Sequence, residues 1–293
     1  MNKKVILAYI DLLGFSEYVK TNQTAAEFKI KLEGVFDSVR GQLNDIIRHE
    51  KEEYRLVSDY LVMDMSDVEF IMFSDSLIIW LDMGKRISDH LEARRSIGFE
   101  SFDNAEQERE ILKIHTVTDY RFFLNYIAMT VFMLTCETHL LARGGIADGD
   151  FHCSTFGKDI KGEFLFSQAL IDAFNLEKNA RMPRIIISDK IHEKLKDCAW
   201  MDHSLIWTDA DGENVLDIYH FPGYYKNLPE LIDSCFKGHL NTSNKDSFHN
   251  IISKRLNELS SEKEKKRDIW NKWFWFKEYH NKRMQEIDKR FVI

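Results

Sequence analysis

Residues 4–13, KVILAYIDLL, constrain the fold more than any other stretch. Alternate residues of a strand point to opposite sides, and here both sets are apolar through Ile10. Such a run needs two dry faces, which a strand finds only in the middle of a covered sheet. Asp11 then interrupts it, just before Gly14 and Ser16. A short basic start precedes the run, but no small-residue cleavage site follows. The segment therefore reads as a first, central strand and not as a secretory leader.

The rest of the chain alternates periods. Phe28, Leu32, Val35, Phe36, Val39, Leu43 and Ile46 recur at helical spacing after Thr24, a suitable N-cap. VEFIMF and SLIIWL read as two strands of a hairpin around Ser74, Asp75 and Ser76. Residues 84–114 are charged and weakly patterned, and read as a peripheral insertion or mobile loop. A long apolar helix over 119–142, a glycine-rich strand from Arg143, an amphipathic helix over 167–180, a short strand over 182–188, a helix and a late strand follow. This order predicts an α+β fold, a sheet with helices packed on it. The segment from about residue 228 reads as helical, giving a main domain over 1–225 and a C-terminal helical extension over 226–293. Its basic, aromatic stretch around Trp270, Trp273, Phe274 and Trp275 suits packing on the body or on a second copy better than a membrane surface.

Composition narrows the function classes. The net charge of −8 weighs against a dedicated nucleic-acid binder. No apolar run is long enough for a membrane span. The four cysteines, at 136, 153, 198 and 235, form no CxxC pair, which fits a reducing cytoplasm.

Two acids then stand out. Asp11 ends an apolar strand, and Asp75 lies between two apolar strands. Central strands can lie side by side, so the carboxylates can face each other. Like charges so placed raise one pKa unless a cation joins them. Mg²⁺ or Mn²⁺ suits the position, because it takes one or two carboxylates and completes its shell with water and substrate phosphates. The carbonyl of Leu12 would add a ligand, and Gly14 permits close backbone approach.

IDLLGFS, FSDSLIIW, ARGGIADGDF and SQALIDAFNLEKNARMPRIIIS resemble, in order, the core of class III nucleotidyl cyclases, and more closely the bacterial pyrimidine cyclases of Pycsar antiphage systems. The resemblance spans roughly residues 4–220. It implies a cytoplasmic, head-to-tail homodimer that turns UTP, or CTP, into a 3′,5′-cyclic monophosphate and pyrophosphate. The product would be a second messenger for a separate effector. It implies that Asp11 and Asp75, with the Leu12 carbonyl, hold two Mn²⁺ or Mg²⁺ ions. Leu13, Gly14, Phe15 and Ser16 would line the triphosphate, and Asn175 would contact substrate. Ile71 and Phe164 occupy the positions where purine cyclases carry a base-reading lysine and aspartate. Ile171 and Asn175 stand where the wider class has its asparagine and arginine. Arg143 is the substitute arginine, or else a salt bridge buttressing the sheet; Arg184 is a second candidate. Ser74 reads as a turn hydroxyl or a phosphate donor, Phe15 as a core residue or a base-stacking one. The competing expectations are a purine cyclase of the same class and an inactive cyclase-like domain that binds a nucleotide or a partner.

Overall fold

The computed structural model describes residues 3–21, 24–53, 67–96, 105–155, 163–196, 205–220 and 248–293. Residues 54–66 lie outside them. An eight-stranded sheet organises the chain. Strand β1 (Lys3–Leu13) is central, between the antiparallel strands β3 (Ser76–Asp82) and β4 (Leu141–Thr155). With β2 (Val68–Phe73), β6 (Ile185–Ile187), β7 (Ile206–Thr208) and β8 (Asn214–Leu216), the order is β2-β3-β1-β4-β6-β8-β7, and β5 (Glu163–Ser167) pairs with the far end of β4. The α+β class expected from the element order is the class observed.

The doubly apolar run of β1 divides between two cores. Ile6, Ala8, Ile10 and Leu12 enter a large cluster with helices α2 (Ala25–Glu53) and α4 (Ala105–Thr138). Val5 and Leu7 enter a smaller one with Ile78, Trp80, Ala147 and Phe151, closed by Ala169 and Ala173 of α5 (Gln168–Asn179). Helix α2 starts as its sequence predicts. The Glu27 N–H donates to the Thr24 hydroxyl at 3.3 Å, and the Thr24 N–H donates to the Glu27 carboxylate at 2.8 Å, a reciprocal capping box. Helix α5 starts at Ser167, whose hydroxyl accepts from the Leu170 N–H.

Two regions depart from the sequence reading. Within 84–114, helix α3 (Met83–Ser96) and the first turns of α4 replace the expected irregular insertion. The buried face of α3 is polar, which is why it carries no apolar stripe. Arg86 donates from Nε to Asp119 and from Nη1 to Asp67, at 3.1 and 3.0 Å, and His90 faces Asp119 at 3.1 Å. All four side chains are buried, so the pairing satisfies charges that would otherwise be costly there. The strands β5 and β7 also escaped the pattern, being five and three residues long.

The C-terminal helices α7 (Phe248–Ser260) and α8 (Arg267–Ile287) share the large core through Ile251, Ile252, Leu259, Trp273, Phe276 and Met284. Trp270 and Trp275 pack at its edge, while Phe274 stays exposed and stacks on Trp270. Tyr279 anchors α8 by donating its hydroxyl to the buried Asp217 and accepting from the Ile218 N–H at 3.1 Å. Among the described residues no helix is long and apolar enough to cross a membrane.

Candidate active site

The site lies where β1, β3 and β4 end together. Asp11 stands opposite Ser76 on one side and Arg143 on the other. The β2–β3 turn consists of Ser74 and Asp75, with Ser74 at φ +55. A bond from the Leu12 N–H to the Asp75 carbonyl, at 2.9 Å, fastens that turn to β1. The two acids are therefore neighbours across the strand ends. Burial pushes the Asp11 carboxyl above the usual aspartate range, Arg143 opposes that shift, and Asp75 adds to it.

Arg143 points at the same place. Its Nε–H donates to Asp11 Oδ2 at 3.0 Å, and the same nitrogen lies 2.6 Å from Glu177 Oε1. Neither terminal nitrogen of the guanidinium makes a hydrogen bond among the described residues, which leaves four N–H groups for an anion. Arg184 is engaged elsewhere, paired with Asp209 and Asp211. The structure thus separates the two candidate arginines.

Helix α5 reaches the site because the sheet is thinned beneath it. A Cβ on Gly145 would lie 2.5 Å from Leu176 Cβ and nearer still to the Ala173 carbonyl oxygen. Ala169, Ala173 and Glu177 form one i, i+4, i+8 stripe, all buried. Glu177 is the residue sequence reading missed, and that stripe was its signal: an acid on the alanine face of a helix. Burial pushes its carboxyl up, against the pull of Arg143 and with the push of Asp11. Tyr9 lies beside it, with its hydroxyl 2.7 Å from Ser76 Oγ and its ring edge-on to Phe174. Lys272 of α8 is a second missed residue, and it carries no sequence signal. Its charge lowers both Asp11 and Glu177, so the C-terminal helix passes within electrostatic reach of the site.

The other expected residues are distributed around this cluster. Leu13 is half-buried against the large core, and Gly14 turns the chain at φ +88. The Gly14 carbonyl accepts from Glu17 and Tyr18, starting α1 (Phe15–Thr21). Phe15 packs on Phe28 and Tyr18, with ring centroids 5.1 and 6.4 Å away. Ser16, Ser74 and Asn175 are exposed. Ile71 packs at the edge of the smaller core, Phe164 pairs with Ser154 in the ladder, and Ile171 is exposed on α5.

The donor chemistry fits a hard divalent cation. Asp11 and Asp75 offer carboxylate oxygens at one strand end. Among the described residues no group of three or more His, Cys, Asp or Glu side chains converges into a complete ligand set. The remaining positions would fall to backbone carbonyl, water and phosphate oxygens, as Mg²⁺ and Mn²⁺ allow.

No protein-family model matches the chain, and no curated protein matches it. Solved structures similar to it include the adenylyl cyclase CyaB from P. aeruginosa, at 15% identity over 74% of this chain and 95% of that one, with a TM-score of 0.35. The guanylyl cyclase domain of the RhoGC fusion protein from Blastocladiella emersonii is 10% identical over 73% and 94%, with a TM-score of 0.37. A class III adenylyl cyclase-like ATP-binding protein from Pseudomonas aeruginosa is 10% identical over 89% of this chain and 44% of that one, with a TM-score of 0.35. At these identities and scores the likeness assigns no activity to this chain.

Proposed function

We propose that the protein is a metal-dependent nucleotidyl cyclase. The observation that carries this reading is the convergence of Asp11, Asp75 and Arg143 at one sheet end. Asp11 and Asp75, with the Leu12 carbonyl, would hold Mn²⁺ or Mg²⁺. The bound ions would supply charge neutralisation at the phosphates and a lowered pKa for the attacking hydroxyl. In the reaction the ribose 3′-oxygen forms a bond to the α-phosphorus, the bond from that phosphorus to the bridging oxygen of the β-phosphate breaks, and pyrophosphate leaves. The 3′-hydroxyl proton passes to solvent. Arg143 would place its open N–H groups on the phosphate oxygens, where charge grows as the bond breaks. Leu13, Gly14, Phe15, Ser16, Ser74 and Asn175 would border the substrate.

A pyrimidine triphosphate, UTP before CTP, is the substrate this reading favours. Ile71 and Phe164 supply no side-chain hydrogen bond to a purine edge, and the motifs resemble the pyrimidine cyclases. The cyclic product would act on a separate effector in antiphage defence. A homodimer is supported by the apolar side chains left exposed on β2, β5 and α5, Phe73, Phe166 and Ile171 at 59, 67 and 51%.

Incubation with each of the four triphosphates and Mn²⁺, read by mass spectrometry, tests the proposal. A cyclic pyrimidine monophosphate is expected, lost in Asp75→Ala at an unchanged unfolding midpoint. A cyclic purine would transfer the reading to adenylate or guanylate chemistry. No cyclic product from any triphosphate would leave an inactive nucleotide-binding domain.

A further inference from the structure

The single N–H on Arg143 Nε has two carboxylates within reach. It is hydrogen-bonded to Asp11 Oδ2 at 3.0 Å, while Glu177 Oε1 sits closer, at 2.6 Å, out of line with it. That Glu177 oxygen is buried and accepts no hydrogen bond among the described residues, and its side chain is 5% exposed. The ion pair at 2.6 Å lacks only alignment, and a small change in the aim of one N–H would complete it as a charge-assisted hydrogen bond. Asp11 therefore holds the arginine where a metal ligand is needed, and Glu177 stands ready to take it.

Resting on the proposed metal site, we infer that Glu177 is a positioning residue which receives the Arg143 Nε–H when a divalent cation takes Asp11. The exchange removes the arginine from competition with the cation at Asp11 Oδ2. It also fixes the guanidinium by its Nε edge, so that the two terminal nitrogens remain free for phosphate. The stripe Ala169–Ala173–Glu177 and the missing side chain at Gly145 hold the acceptor in place without a further hydrogen bond.

A double-mutant cycle on Mn²⁺ affinity tests this, read by electron paramagnetic resonance on the full-length, nucleotide-free protein. Glu177→Met removes the acceptor, so Arg143 stays on Asp11. Mn²⁺ binding should weaken about tenfold, the scale of coupling between residues in direct contact. Glu177→Gln keeps an acceptor oxygen without the charge and should lose less; it also serves if the methionine variant folds poorly. In an Arg143→Met background there is no arginine to relocate, so Glu177→Met should change Mn²⁺ affinity by less than about twofold. An equal loss in both backgrounds would show Glu177 acting only as a nearby negative charge and overturn the exchange, as would no loss in either. Wild-type protein without a Mn²⁺ site sensitive to Asp75→Ala would remove the metal reading itself, and the exchange with it.

Discussion

Gly145→Ala adds one methyl group at the joint between sheet and site. The new Cβ would stand 2.5 Å from Leu176 Cβ, whereas ordinary contact begins at 3.4 Å. It would be tighter still against the Ala173 carbonyl oxygen. Neither neighbour is the flexible end of a side chain, so no rotamer change relieves the clash. Helix α5 must withdraw by about 0.9 Å or more, carrying Glu177 away from Arg143. Overpacking of a closed core costs roughly 1–3 kcal/mol, and a backbone neighbour places this case near 3 kcal/mol. Displacement of a catalytic constellation by about 1 Å lowers turnover on the order of 100-fold. Urea unfolding, followed by the triphosphate assay at a denaturant-free temperature well below the midpoint, measures both. A stability change under about 0.5 kcal/mol, or full turnover, would refute the close approach of α5. The matched control is Gly34→Ala in α2, where a Cβ meets no atom within 4 Å. There the same methyl group should stabilise by up to about 1 kcal/mol, because alanine gives up less conformational freedom than glycine in a helix.

Three further outcomes follow from buried polar groups. Tyr279→Phe should destabilise by about 2–3 kcal/mol, since it leaves Asp217 and the Ile218 N–H without the hydroxyl they share; calorimetry checks this, and a neutral result would mean water replaces it. Burial lowers His280 to about 4, with its Nε2–H donated to the Phe291 carbonyl at 2.8 Å, and lowers His249 in the same direction. The unfolded chain then binds more protons below the unfolded value of 6.5, so stability should be full above that pH and fall towards pH 4, by about 3 kcal/mol for His280. An NMR titration of the His280 ring near 6.5 would contradict it. For Asp11 the raised carboxyl means that protons compete with Mn²⁺ at a higher pH than at an ordinary aspartate. Mn²⁺ affinity of the nucleotide-free protein should therefore decline on acidification before the usual aspartate range is reached, and a decline confined to that range would argue against a buried site.

Elements whose signal is local were legible in the chain alone. The doubly apolar run of β1 required a central strand, the spacing from Phe28 to Leu43 required a helix, and Thr24 with Glu27 marked its start. Two acids interrupting apolar strands were also legible, since charge in such company is costly enough to call for a partner. The partners themselves were not legible, because pairing across a sheet depends on register and strand order. Packing alone selected Arg143 over Arg184 as the partner of Asp11; they lie 41 residues apart, one on β4 and the other just before its neighbour β6. Helix α3 stayed hidden because its inward face is charged, and its pairing with Asp67 and Asp119 exists only once the helices meet. Glu177 and Lys272 reach the site from helices that ordinary amphipathic patterns place on the sheet, without saying over which strand end. Periodicity reports which face of an element is buried; what that face touches is set by packing between segments remote in the chain.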